Sequence, residues 1–157
     1  MRLALISLVA LAAGAQKVHE LCAPCHNQHF EDFQTHKHFA KGLSCDACHG
    51  TSKGHREATG GQMPDRVAGP TEQPALCGAC HTDQGKAYQT SKHGKLVAAR
   101  AAKRAAACTT CHGTHAPRKA AAMLAQCNRC HDPLPPTCKP EGCASCHNPH
   151  TLAARKP

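Results

Sequence analysis

The sequence has no tryptophan, one tyrosine and three phenylalanines, too few large rings to fill an ordinary apolar core. The same shortage argues against nucleic acid as a partner, since stacking surfaces need aromatics even where the chain is as basic as this one, with a formal charge of +9. Acids are scarce: ten Asp and Glu stand against nineteen Lys and Arg, and none falls between Gln84 and His131, a stretch holding nine bases. No alternating run is long enough for a confident strand. No apolar run reaches the ~20 residues that span a bilayer. The longest, Leu3 to Ala13, follows Arg2 and ends in Ala13-Gly14-Ala15, which reads as a secretory signal peptide over residues 1–15, cleaved after Ala15. A membrane anchor is the rival reading, and the run is short for one. No lipobox cysteine follows, so no lipid anchor is expected, and the chain is expected in the periplasm or outside the cell.

Cysteine and histidine are abundant instead, with thirteen and fourteen copies. Twelve of the cysteines fall into six CxxCH motifs: Cys22, Cys25 and His26; Cys45, Cys48 and His49; Cys77, Cys80 and His81; Cys108, Cys111 and His112; Cys127, Cys130 and His131; Cys143, Cys146 and His147. The chemistry of this grammar is specific. Two thiols on one turn add to the two vinyl groups of a haem, and the next histidine coordinates the iron. Zinc ribbons, thioredoxin-like redox pairs and disulfides also use close cysteines, but none requires a histidine after every second cysteine. At this composition about 0.1 such motifs would arise by chance. Six covalently attached haems c are expected.

With these motifs and a Cys-His-Gly-x-His at Cys111 to His115, everything after the first fifteen residues resembles the multihaem c-type cytochromes, especially the small bacterial ones with paired motifs. The resemblance implies paired-histidine, low-spin haems and electron transfer along closely packed haems. It also implies attachment of the haems outside the cytoplasmic membrane, which agrees with export. Residues 16–157 give roughly 24 residues per motif, too few to bury a protein core. The expected fold is therefore mostly irregular with a few short helices and little or no β-structure, wrapped as a single domain around a stack of six haems.

An internal repeat divides that domain. Cys22 to His38 aligns without a gap on Cys77 to His93, at an offset of 55, and each copy leads to a Cys-His-Gly-Thr motif, at Cys48 and Cys111. Modules of approximately 16–61, 62–118 and 119–157 follow, the third cut down and lacking the Gln-Thr-x-Lys-His element. The Ala- and Arg-rich stretch 96–107 and the segment Pro117 to Gln126 are the best helix candidates. Residues 56–74, rich in Gly and Pro, read as an irregular linker.

Six histidines are proximal ligands by their motifs: His26, His49, His81, His112, His131 and His147. Of the other eight, His38 and His93 are repeat-equivalent, as are His55 and His115, while His29 and His150 share with His115 a position three residues after a proximal histidine. These six form the expected distal set, with His19 and His36 in reserve. The third module offers only His150 for two haems, so one ligand must be borrowed, and His29 of the N-terminal segment, folded onto another part of the stack or onto a neighbouring copy, is the expected lender.

Two imidazoles per iron leave no position for substrate, so the chain is not expected to be an enzyme. It is expected to carry electrons between redox partners, such as a quinol-oxidising membrane module or periplasmic donor on one side and a terminal reductase or outer-surface complex on the other. Alternatives are a protomer of a polymeric haem filament, which makes a homo-oligomer possible, or an oxidoreductase with one open haem. Propionates and ferric irons bring the mature chain to about +2 oxidised and about −4 reduced. The acid-free stretch still offers Lys92, Lys95, Arg100, Lys103 and Arg104 to an acidic partner. Cys138 is left outside the motifs. Mass spectrometry of the reduced protein should find six haems attached and one alkylatable cysteine, Cys138; further alkylatable cysteines would refute the motif assignment.

Overall fold

A computed structural model describes residues 18–100, 106–131, 133 and 142–155. The expected signal peptide, Cys138 and the middle of the Ala-rich stretch lie outside these residues. Eleven short helices make up the regular structure among them: α1 Val18–Cys22, α2 Asn27–Gln34, α3 Lys37–Ala40, α4 Asp46–His49, α5 Lys53–Glu57, α6 Gln73–Gly78, α7 Thr82–Thr90, α8 Lys92–Ala98, α9 Cys108–His112, α10 Ala120–Asn128 and α11 Cys143–Cys146. The longest have nine residues. There is no sheet among the described residues, only an isolated bridge between His147 and Ala154. The chain is helical and irregular, as expected. Helices this short are not stable alone in water, and something other than propensity holds them.

Apolar packing supplies little of it. Among the described residues the buried apolar side chains are Val97 and Ala107 alone. All three phenylalanines gather in the first module around His19, which is 5% exposed. Its ring lies 5.3 Å from those of Phe30 and Phe39, and Phe33 packs edge-on to Phe39 at 5.7 Å.

The repeat is visible in the backbone. Helices α1, α2 and α3 recur at the 55-residue offset as α6, α7 and α8. In each copy the first helix is tied to the start of the second motif: the His19 amide donates to Ser44 Oγ at 2.8 Å, and the Thr109 amide donates to Gln73 Oε1 at 3.0 Å. Phe33 is replaced at the equivalent place by Tyr88, whose hydroxyl donates to the Ala106 carbonyl at 2.7 Å.

The helix expected over 96–107 does not form as one piece. Ser91 caps α8 by accepting from the Gly94 amide at 2.9 Å, so the helix starts at Lys92 and has ended by Ala98. Arg100 then takes φ +50° and Ala107 is extended. The other candidate is displaced rather than absent: α10 begins at Ala120 and runs into the fifth motif at Cys127. The linker is irregular from residue 58 to 72, as expected.

Gly50 and Gly113 end α4 and α9 at φ 72°, ψ 178° and φ 82°, ψ 176°, a region that essentially only glycine visits. At Gly50 an added Cβ would also come within 2.8 Å of Asp65 Oδ2. Gly50→Ala or Gly113→Ala should therefore each cost about 1–3 kcal/mol, read as a lowered denaturant midpoint with an unchanged slope.

Candidate functional site

Each CxxCH motif is a single helical turn closed on itself. The amide of the histidine donates to the carbonyl of the first cysteine in five motifs: His26 to Cys22 at 3.0 Å, His49 to Cys45, His81 to Cys77 and His131 to Cys127 at 2.9 Å, and His147 to Cys143 at 2.8 Å. The remaining motif is α9 in its entirety. Residues three apart on such a turn share a face, so the two thiols are presented together with the imidazole beside them.

The thiols also place the motifs in order. Burial and the neighbouring Cys22 thiol push Cys45 up to about 11. The Cys108 thiol donates to Cys77, holding Cys77 down at about 7 while Cys108 itself is pushed far up. Cys127 is raised by burial, then by Cys143 and Cys111. Cys48 is raised by burial and by Cys77, with Cys80 adding to it. First cysteines thus meet within the pairs of motifs one and two, three and four, and five and six. Between the pairs, Cys48 feels Cys77 and Cys127 feels Cys111.

The histidines pair across the modules. His26 faces His55 with ring centroids 6.0 Å apart, His49 faces His115 at 6.0 Å, His81 faces His38 at 5.7 Å, His112 faces His150 at 6.1 Å, and His131 faces His93 at 5.9 Å. In the third of these pairs the two Nε2 atoms point at each other at 3.4 Å. Metal–imidazole bonds run about 2 Å, which puts two nitrogens across one ion about 4 Å apart and their ring centroids roughly 6 Å apart. The donors sit far from their partners in sequence, and four of the five pairs join different modules.

The cytochrome c3 family model matches residues 36–132, a span that takes in the four central motifs. The chain belongs to the cytochrome c3 family. It is thus a multihaem c-type cytochrome with covalently bound haem c, of a kind that carries electrons and generally works in the periplasm or outside the cell. No curated protein and no solved structure matches it.

The residues of this cytochrome fit the haem. When bound, the haem supplies an iron that alternates between ferric and ferrous states, carrying one electron. The chain supplies neutral imidazoles: burial lowers His38, His93, His112 and His115, and the facing imidazole of each pair lowers them further, His115 also feeling His29. It also orients them. His49 Nδ1 donates to the Arg66 carbonyl at 2.9 Å, His55 Nδ1 to that of Gln62 at 2.6 Å and His147 Nδ1 to that of Leu152 at 3.1 Å. A proton held on Nδ1 leaves the Nε2 lone pair for metal.

Five histidines stand elsewhere than expected or in reserve. His29 does not reach the third module within this chain. Its place in the first turn of α2 keeps its ring 6.1 Å from His26 and 4.6 Å from His115, the latter too close for an ion between them. His93 faces the fifth motif instead, and His150 faces the fourth rather than its own module. His19 is packed among the phenylalanines, with Nδ1 buried and unbonded. His36 caps α3, its Nδ1 accepting from the His38 amide at 3.1 Å, the task Ser91 performs 55 residues on.

Sequence reasoning missed the residues that fasten the even motifs. Asp65 Oδ2 accepts from the Ser52 amide at 2.7 Å, and Arg66 Nε donates to the Cys48 carbonyl at 2.7 Å. Arg118 does the same for α9, donating to the carbonyls of Thr109 and Thr110 at 3.0 and 2.9 Å. A cation on the last carbonyls of a helical turn is favourable, and the linker read as irregular carries the first of these clamps.

The capping role of His36 predicts that His36→Ala lowers stability by about 1 kcal/mol with no change in the ferric EPR spectrum. His36→Ser should restore the stability. A new high-spin signal in either variant would make His36 a ligand after all.

Proposed function

We propose that this member of the cytochrome c3 family is a hexahaem electron carrier, five of whose irons are held by paired histidines of this chain. Its task is to pass electrons, in the periplasm or outside the cell, from a quinol-oxidising membrane module or another periplasmic donor to a terminal reductase or an outer-surface complex. The observation that carries this reading is the set of five histidine pairs at 5.7 to 6.1 Å, strung on motifs whose thiols follow one another in chain order. In this reading His26, His49, His81, His112 and His131 are proximal ligands, and His55, His115, His38, His150 and His93 are their respective distal ligands.

Closed coordination on both sides suits outer-sphere electron transfer and leaves these five irons no place for substrate. Paired histidines also set lower potentials than His/Met ligation does. Methionine ligation has little support, since Met63 is 79% exposed in the linker and Met123 lies in α10. The acid-free stretch from Gln84 to His131 gives an acidic redox partner a face to approach.

A reductive titration followed by absorption and EPR tests the assignment. Five low-spin ferric haems reduced at low potential are expected. His38→Ala should turn one of these five high-spin, and His93→Ala likewise, each restored by added imidazole. Low-spin spectra unchanged in both variants would refute the pairing.

A further inference from the structure

The linker touches two different histidine pairs through one short segment. Between Gln62 and Arg66 it lies against α4 and α5, and the backbone carbonyls at its two ends accept from imidazole rings. The Gln62 carbonyl takes the Nδ1 proton of His55 at 2.6 Å, and the Arg66 carbonyl takes that of His49 at 2.9 Å. His55 is the imidazole facing His26 of the first motif, whereas His49 belongs to the second motif and faces His115. The segment thus holds one ring at each of two neighbouring motifs, whose thiols Cys22 and Cys45 are themselves hydrogen-bonded.

Its own side chains fasten it in place. Arg66 donates through Nε to the Cys48 carbonyl at 2.7 Å and through Nη2 to that of Ala47 at 3.4 Å, gripping the end of α4, where His49 is the last residue. Asp65 grips the turn that follows: its Oδ2 accepts from the Ser52 amide at 2.7 Å and from Thr51 Oγ1 at 3.4 Å, and its amide donates to Ser52 Oγ at 3.1 Å. Ser52 is 7% exposed and stands immediately before α5, the helix that carries His55. Its hydroxyl also donates to the His49 carbonyl at 2.9 Å. The approach is close, since an added Cβ would come within 2.8 Å of Asp65 Oδ2 at Gly50 and within 2.7 Å of Gln62 Oε1 at Gly54. Pro64, in the middle of the segment, restricts the backbone on both sides of itself.

A carbonyl that accepts from Nδ1 fixes the plane of the ring and makes its Nε2 a stronger donor. A stronger donor favours the ferric iron, so each of these bonds lowers the potential of its centre. Because one segment makes both bonds, the two potentials are lowered in the same direction and the step between them stays level.

We propose that the segment from Gln62 to Arg66 is a shared tuning strap for the centres of the first and second motifs, with Arg66 and Asp65 as its positioning residues. The proposal rests on the haem reading above. It makes the first module a unit whose two centres are set together by a stretch of chain that belongs to neither motif.

The test uses the purified full-length holoprotein, with haems counted by intact mass and the ferric haem methyl resonances followed by NMR through a reductive titration. His55→Ala and His115→Ala identify the two centres, each by the one it turns high-spin. Arg66→Ala, with its haems complete and low-spin, should raise the potentials of these two centres together and displace their methyl resonances, leaving the other centres in place. Arg66→Lys, which keeps a cation at the α4 carbonyls, should recover part of both shifts. Asp65→Asn should move the same two centres by less, and it decides the matter if Arg66→Ala takes up fewer haems. Lowered stability with every potential and resonance unmoved would overturn the proposal and leave Arg66 and Asp65 as a clamp on the backbone. A shift confined to the centre of the second motif would overturn the shared role. If neither His55→Ala nor His115→Ala yields a high-spin centre, the haem reading fails and the proposal with it.

Discussion

Two imidazole nitrogens aimed at one another with lone pairs forward repel unless a proton or a cation lies between them. His38 and His81 hold their Nε2 atoms 3.4 Å apart from segments 43 residues apart, and four more pairs repeat the ring spacing. With Val97 and Ala107 the only buried apolar side chains among the described residues, these pairs and the thiol contacts decide where each segment lies. A cofactor that binds the folded arrangement and not the unfolded chain lends its binding energy to folding. Eleven short helices can persist on that basis though none would stand alone.

The crossing of donors between modules matters as much as their number. Had every histidine faced a motif of its own module, the chain would be three beads with loose joints. Instead His38 and His93 reach forward and His115 and His150 reach back. Each junction is therefore crossed by two facing imidazole pairs. A fixed order of motifs is what a relay of electrons requires, because transfer to the wrong neighbour is prevented by geometry alone.

Much of this was legible in the residues. The motifs stand out by their spacing, the repeat by an offset without gaps, and the candidate ligands by repeat equivalence. The need for Gly50 and Gly113 is local and lies beside each motif. What the sequence hid was partner choice, since a donor's reach depends on how modules stack, which no residue spacing encodes. His29 shares its spacing with His115 and His150 yet sits on a helix where they lie outside any, and α2 turns it back toward its own motif. The Ser91 equivalence of His36 was in plain view and pointed to a cap. Asp65 and Arg66 lay in a stretch whose Gly and Pro content suggested only a loop, and their hydrogen bonds depend on tertiary folding.

The offset between donor and acceptor also governs how such a chain can grow. Duplicating the middle module would leave every internal iron supplied, because the new copy would both lend and receive in the same pattern. On the proposed pairing, adding a single motif would instead leave one iron with a single imidazole, and removing one would strand an imidazole. Length in such an arrangement is therefore quantised in units of two motifs.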